Sequence, residues 1–446
     1  MRGLIAWILV LVTVQMTNGQ EKDQWPGKLS GQFRTYYLGT FNNDNLKDFQ
    51  ALAIGGKIKY VHTFWKHIKV GGALYTSVNS GIQDLSIPDP TTGKVSRYEL
   101  GLFDVEHPND HFILIPGELF FQYTHKKHEA TIGRMKIASP FINPQDGRMI
   151  PTLEQGIWYK YQPNTTLKFQ FGVFNAISPR STHKFFGIGE SIGKYPSGRT
   201  VDGKPSQYAK NTTSDYIALA NIDLQASEGL KLSIWNYYVD NIFNTLYMKP
   251  TFDLGNQGMQ VSLEWLHQNR IGTGGNSSDS LRYYAHSSAD ILGLEWRYKW
   301  KRSKVSIGYD HILNHGQFIF PREWGREVLF SFQKRERSEG SANNHAVVLT
   351  YARDFIWSSS KIQSIISLGH QWKADVTDAE NNKYAMPDYT HLNLDMFYTH
   401  ETLKHFEPEL LLTYKLSHGE FPENANFVLN KVDMFQVNLI INYTFK

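Results

Sequence analysis

The sequence predicts an all-β fold: a transmembrane antiparallel β-barrel of about 18 strands, with short periplasmic turns at one end and long external loops at the other. Three observations carry that prediction. Apolar and polar residues alternate with a period of two over most of the chain. Brief links alternate with long ones between these runs. Aromatic residues, 14% of the composition, gather near the ends of the runs as interfacial girdles do.

Composition removes several other classes. With 446 residues and no cysteine, the chain has no disulfide framework, no Cys-ligated metal and no thiol nucleophile. Its 46 basic and 42 acidic residues give a net charge of +4, too balanced for a nucleic-acid binder. The length allows about three ordinary domains, yet no Pro/Ser linker divides it. A negative mean hydropathy fits a barrel whose polar face lines water.

Taken from the N-terminus, Met1-Arg2-Gly3 is a basic start, residues 4–14 an apolar run of 11, and Thr17-Asn18-Gly19 a small or polar end. That is the layout of a signal peptide over residues 1–19, and the run falls short of the roughly 20 residues of a spanning helix. Residues 20–446 then form the barrel domain. Candidate strands follow at 28–41, 50–62, 67–77, 117–125, 128–136, 152–162, 165–175, 213–226 and 229–240. The remainder lie at 244–254, 257–268, 289–300, 303–311, 343–354, 360–372, 389–399, 406–417 and 434–446. Short links such as Lys126-Lys127 and Lys301-Arg302 alternate with long ones such as 78–116, 137–151, 176–212 and 312–342. In the last strand Val437, Leu439, Ile441, Tyr443 and Phe445 share one face and Gln436, Asn438 and Asn442 the other.

If the apolar parity faces lipid, the opposite parity lines water. On it fall Arg34, Lys57, Lys59, Lys69, Lys160, Lys168, Lys231, Lys249, Arg297, Lys299 and Lys415, together with acids such as Glu154, Asp223, Glu264, Glu295 and Asp395. Both signs are present, so each basic residue is either half of a solvated ion pair or part of a row that sets ion preference. Two loops concentrate the remaining signals. Pro140, Pro144 and Pro151 stiffen 137–151, which carries Asp146 and Arg148 toward the lumen. In the loop 312–342, Pro321-Arg322-Glu323-Trp324-Gly325-Arg326-Glu327 and Lys334-Arg335-Glu336-Arg337 alternate charge densely.

At Gly133-Arg134-Met135, at Pro140 and Asp146-Gly147-Arg148-Met149-Ile150-Pro151, and at the run 321–327, the chain resembles the OprD-type outer-membrane porins, including their Bacteroidetes-like branch. The resemblance implies a barrel in the outer membrane of a Gram-negative bacterium whose third and seventh loops pinch the pore. A row of basic wall residues would guide small hydrophilic solutes such as amino acids or carboxylates. By that resemblance Arg148, Arg322 and Arg326, with Asp146 beside them, are expected at the channel constriction. The expected partners are outer-membrane lipid, the solutes and the barrel-assembly machinery, with the chain a monomer or trimer and no cofactor. Lys446 follows Phe445, where barrels more often end on an aromatic residue.

Two other motifs invite chemistry. Gly189-Glu190-Ser191-Ile192-Gly193 matches G-x-S-x-G, but that elbow needs a strand leading in and a helix leading out, and the sequence predicts only loop there. A barrel-embedded hydrolase using Ser191 with His183 or His286, or an adhesin working through its loops, is the alternative to a channel. His125-Lys126-Lys127-His128 falls in a tight turn and is expected to sit in solvent, and Asn43-Asp44-Asn45 and 375–382 lack full calcium-loop spacing.

Overall fold

The computed structural model describes residues 27–43, 45–64, 66–145, 148–255 and 258–446, so residues 1–19, read above as a leader, lie outside it. Among the described residues eighteen long strands close into one barrel, and a two-residue strand, Phe186–Gly187, joins the same sheet. The first nine are β1 Gly27–Asn42, β2 Phe49–Phe64, β3 Ile68–Asn79, β4 Phe112–His125, β5 His128–Met135, β6 Leu153–Tyr161, β7 Leu167–Ser178, β8 Ile217–Ser227 and β9 Leu230–Val239. The second nine are β10 Phe243–Asp253, β11 Met259–Arg270, β12 Ser288–Trp300, β13 Ser303–Ile312, β14 Asn344–Trp357, β15 Ser360–Trp372, β16 Asp388–His400, β17 Phe406–His418 and β18 Met434–Phe445. β18 returns to β1 antiparallel, with Gly31 opposite Phe445 and Asn42 opposite Met434, so the ring closes and leaves no edge to aggregate. No helix among these residues is long and apolar enough to cross a membrane.

Each predicted run corresponds to one strand. The largest boundary shift is at β4, which begins at Phe112 rather than 117. Pro116 hides that start because it cannot donate to a ladder. It is tolerated at a bulge: Ala73 faces Glu118 while Leu74 faces Pro116, leaving Gly117 as the extra residue. The long connections all lie at one end: L2 (80–111), L3 (136–152), L4 (179–216), L6 (271–287), L7 (313–343), L8 (373–387) and L9 (419–433). Two connections at that end are brief, 43–48 and 240–242, so the alternation of link lengths read from sequence breaks twice.

Side-chain parity follows from this closure. Along β1, Arg34, Tyr36, Leu38 and Thr40 point inward and are buried, while Phe33 points outward and is exposed; Ile58, Leu114, Ile132 and Ile157 repeat the outward pattern. At the short-turn end outward rings stack along their strands, Tyr298 with Trp300 at 5.2 Å and Phe355 with Trp357 at 6.2 Å.

The inward face is not polar throughout, which corrects the simple polar-in reading. In the long-loop half, loops fill the lumen and bury two apolar clusters against the wall. One gathers Phe141, Phe318, Phe320 and Trp324 against Tyr237, Phe243 and Tyr247. The other gathers Leu100, Leu102, Phe103, Met149 and Ile150 against Tyr36, Leu38, Ala51 and Ala53. Here the wall meets side chains rather than water, so both faces of the strands are apolar. Gly325 shows how close the loops lie: a Cβ there would stand 2.1 Å from the carbonyl oxygen of Phe141.

Candidate functional site

L3 crosses the lumen. Its near end folds on itself, Ser139 donating its N–H to the Ile142 carbonyl at 3.0 Å, and this turn presents Phe141. The Phe141 ring meets Tyr247 edge-on at 5.3 Å and Tyr237 at 5.7 Å, on β10 and β9. The far end reaches β1. Arg34 donates to the carbonyl of Arg148, whose own Nη1 donates to the Tyr36 hydroxyl at 3.3 Å. β1 and β10 stand nine positions apart in the ring of eighteen, so the two anchors lie on opposite walls.

L7 is sewn to L3 along this crossing. Asn143 donates its N–H to the Trp324 carbonyl at 3.1 Å, accepts from the Arg326 N–H at 3.1 Å, and donates its side-chain amide to the Arg326 carbonyl at 2.9 Å. Gln145 donates to the Arg322 carbonyl at 2.9 Å and accepts from Arg337 at 2.8 Å. L7 then runs along the inner wall. The Phe330 N–H donates to Glu264 on β11 at 2.8 Å, and Gln333 donates to the Ser367 hydroxyl on β15 at 3.0 Å. Lys334 pairs with Asp395 and with Glu409 at 2.7 Å, on β16 and β17. Lys415 donates to the Arg335 carbonyl at 2.9 Å and pairs with Glu336. Arg335 sits at φ +74, a left-handed conformation costly for a non-glycine residue, and its Nη2 donates to Asn438 at 2.6 Å and to Tyr36.

The arginines expected at a constriction therefore differ in what holds them. Arg322 is engaged: its Nε donates to Glu339 at 2.7 Å and its guanidinium lies 3.7 Å over the Tyr384 ring. Burial would lower its pKa, but Tyr384 and Glu339 outweigh that and hold it above the ordinary value. Arg148 is 4% exposed, and its Nε has no hydrogen-bond partner among the described residues. Burial and then the neighbouring Arg335 push its pKa down to about 9, which still leaves it charged at neutral pH. Arg326 is exposed, lies 5.6 Å over the Phe332 ring, and makes no ion pair among the described residues. Asp146 lies outside the described residues.

All eleven basic residues placed on the water-facing parity point inward. Five wall residues pair with wall acids: Lys59 with Glu118, Lys160 with Glu129, Lys168 with Asp223, Lys231 with Asp253 and Arg297 with Glu295. Lys415 pairs instead with Glu336 of L7, and Arg34 donates to Asn442 at 2.7 Å. Lys57, Lys69, Lys249 and Lys299 make no ion pair among the described residues, and Lys249 lies 5.9 Å from the Phe330 ring.

Arg335 is the residue that sequence reasoning did not single out. Its guanidinium meets that of Arg148 across the Tyr36 hydroxyl, and its Nε also has no partner among the described residues. The dense charge of 334–337 flagged the segment; which member reached β1 depended on a left-handed residue that sequence does not announce.

The G-x-S-x-G segment corrects the sequence reading of a bare loop. Phe186–Gly187 is a two-residue strand on β7, and Ile188–Ser191 is a single helical turn. Ser191 is nevertheless no nucleophile. It is fully buried at the end of the turn, donates to the Ile188 carbonyl at 2.7 Å and accepts the Trp324 indole N–H at 2.7 Å. Neither candidate histidine bonds to Ser191: His183 bonds to Asp104, and the His286 Nε2 is buried with no partner among the described residues. In the tight turn, His128 bonds to the Tyr159 hydroxyl at 2.7 Å. Asp375 caps Thr377, and Asp44 lies outside the described residues.

A family profile described as outer membrane porin, OprD family, matches residues 119–423. No curated protein matches the chain by sequence. Among solved structures, Pseudomonas aeruginosa OccK1 (OpdK) is similar with a TM-score of 0.68 at 14% identity, over 94% of this chain and 98% of that one. Acinetobacter baumannii OccAB4 gives 0.67 at 17% identity, over 96% and 100%. OpdK with vanillate gives 0.69 at 14% identity, over 94% and 98%. At these identities the likeness is one of fold.

Proposed function

This chain belongs to the OprD family of outer-membrane porins, and from that premise we propose how its lumen selects among small hydrophilic solutes. It is an outer-membrane channel of a Gram-negative bacterium and not an enzyme. The selecting element is the L3–L7 seam, where Arg148, Arg335 and the exposed Arg326 attract the carboxylate of an anionic or zwitterionic solute. One observation carries this reading: two guanidinium groups converge on the Tyr36 hydroxyl, each with an Nε that has no partner among the described residues. Two guanidinium charges held this close give the seam a positive field, which attracts a carboxylate. Arg322, tied to Glu339, fixes L7 in place, and Asp146 belongs to the same constriction. Arg34, Lys57, Lys59, Lys69, Lys160, Lys168, Arg297 and Lys299 line the approach, and Lys57, Lys69, Lys249 and Lys299, which make no ion pair among the described residues, add net positive charge to the wall. OpdK, solved with vanillate, a carboxylate, supports this choice of solute class.

Three finer assignments belong to the same proposal. Residues 1–19 form a leader, and N-terminal sequencing of the mature chain checks it. The barrel-assembly machinery folds the chain, which functions as a monomer or trimer. The motifs at 133–135, 140, 146–151 and 321–327 together support assignment to the Bacteroidetes-like branch.

The test is reversal potential in a planar bilayer under a salt gradient, with solute uptake by liposome swelling. Arg326→Ala is expected to lower uptake of an anionic test solute several-fold more than that of a neutral sugar. Equal losses for both solutes would remove the electrostatic part of the proposal.

A further inference from the structure

Asp104 in L2 holds two imidazoles on one oxygen. His107 Nδ1 lies 3.0 Å from Asp104 Oδ2, and His183 Nδ1 of L4 bonds to the same oxygen. The two rings stand 5.1 Å apart, and the three ligand atoms all lie within 4.8 Å of one another. We infer that Asp104, His107 and His183 bind a divalent transition-metal ion of the zinc class, which staples L2 to L4 at the external mouth.

The donor set fits that class. Two imidazole nitrogens and one carboxylate oxygen suit zinc and its neighbours, whereas calcium and magnesium favour oxygen alone. Bonds of about 2.0–2.1 Å to such an ion put tetrahedral ligand atoms about 3.3 Å apart, so small shifts bring these three into place. Asp104 is 1% exposed and pre-oriented, since its Oδ1 accepts the Glu106 N–H at 3.0 Å and leaves Oδ2 toward the rings. The imidazole side chains are 51% and 37% exposed, so water can complete the coordination. On binding, each ring gives its Nδ1 lone pair to the metal. The proton that Nδ1 donated to Asp104 is released or taken up at Nε2 on the exposed side.

The two loops already meet here. Val105 donates its N–H to the Ser181 carbonyl at 3.1 Å, Ser181 donates to the Gly101 carbonyl, and Lys194 pairs with Glu106 at 2.7 Å. The ion would find its ligands assembled and need little ordering of chain. A second arrangement on the outer rim supplies the control. Asp290 meets His267 with both carboxylate oxygens, at 3.0 and 3.2 Å, and His315 at 3.1 Å, but among the described residues these three do not bring their ligand atoms within 4.8 Å of one another, and Asp290 also accepts the Trp265 indole N–H.

The experiment is equilibrium dialysis of the full mature chain in detergent against micromolar Zn²⁺, read by elemental analysis. Wild type is expected to hold one ion per chain that His183→Ala and His107→Ala each weaken by about tenfold or more, while His267→Ala leaves that site unchanged. Heat-modifiable gel migration identifies variants with a folded barrel. As an independent readout, Zn²⁺ is expected to slow proteolysis within L2 and L4 of wild type and not of His183→Ala. A wild-type chain that binds no zinc above the detergent blank, or variants that bind and are protected as wild type is, would overturn the inference.

Discussion

The two ends of L3 touch opposite walls of the same barrel by different physics. At the Phe141 end, aromatic rings from L3, L7, β9 and β10 pack edge-on in a buried cluster. At the Arg148 end, two arginines, a tyrosine hydroxyl and the Asn438 amide make a polar contact in which two donors have no partner among the described residues. Burial of a ring contributes a few kcal/mol without specifying charge, whereas a hydrogen bond from a guanidinium contributes about 1.5–3 kcal/mol, offset by the desolvation of the charge. The apolar end therefore fixes where the loop lies, and the polar end is free to carry function at the expense of stability. A soluble-type core inside the lumen seats L3 while the like charges of Arg148 and Arg335 are held close together at the opposite wall.

Breaking the apolar end is expected to give the largest effect. Phe141→Ala leaves a cavity among Tyr237, Tyr247, Phe318 and Phe320 and costs about 3–5 kcal/mol of loop docking. Released from one wall, L3 should swing from the other, raising single-channel conductance several-fold and exposing L3 to protease while barrel migration on gels is unchanged. Unchanged conductance would mean that the aromatic cluster is not what seats the loop.

This contrast also explains what the sequence reveals. Strands are legible because lipid imposes period two on one face regardless of what lines the other, and only Pro116 at a bulge conceals a strand start. The stiff, charged loops were legible as a pair. Which of their arginines is available was not, because Glu339 and Tyr384, which engage Arg322, lie elsewhere in sequence and declare no partner. Asp104 and His183 meet only because L2 and L4 fold over one another, so no spacing rule finds them.

An intermediate effect is expected from Glu99 of L2, which accepts from Thr40 at 2.6 Å and from Ser96 behind the polar end. Burial raises its pKa to about 7, against about 4.3 for a free carboxyl. A docked loop thus binds a proton that an undocked one has lost between these values. Docking is strongest below about pH 4, weakens as pH rises toward 7 and is level above it, by about 4 kcal/mol at most. Hydrogen exchange in L2 should accordingly be faster at pH 8 than at pH 5.5 once intrinsic rates are divided out, and Glu99→Gln should remove the difference. A pH difference that survives Glu99→Gln would assign it to another group.

The smallest effect is expected on the wall itself. Lys160 and Glu129 pair at 2.9 Å with side chains 42% and 31% exposed, in water rather than in a packed core. Such pairs contribute about 0–1 kcal/mol and are weakened by salt. Lys160→Gln should leave barrel stability within that range and shift reversal potential less than Lys57→Gln, whose ammonium has no ion-pair partner among the described residues. If Lys160→Gln shifts selectivity as strongly as Lys57→Gln does, then paired and unpaired wall charges act alike on the solute. The permeating ion would then respond to the summed field of the lumen rather than to the free charges along its path.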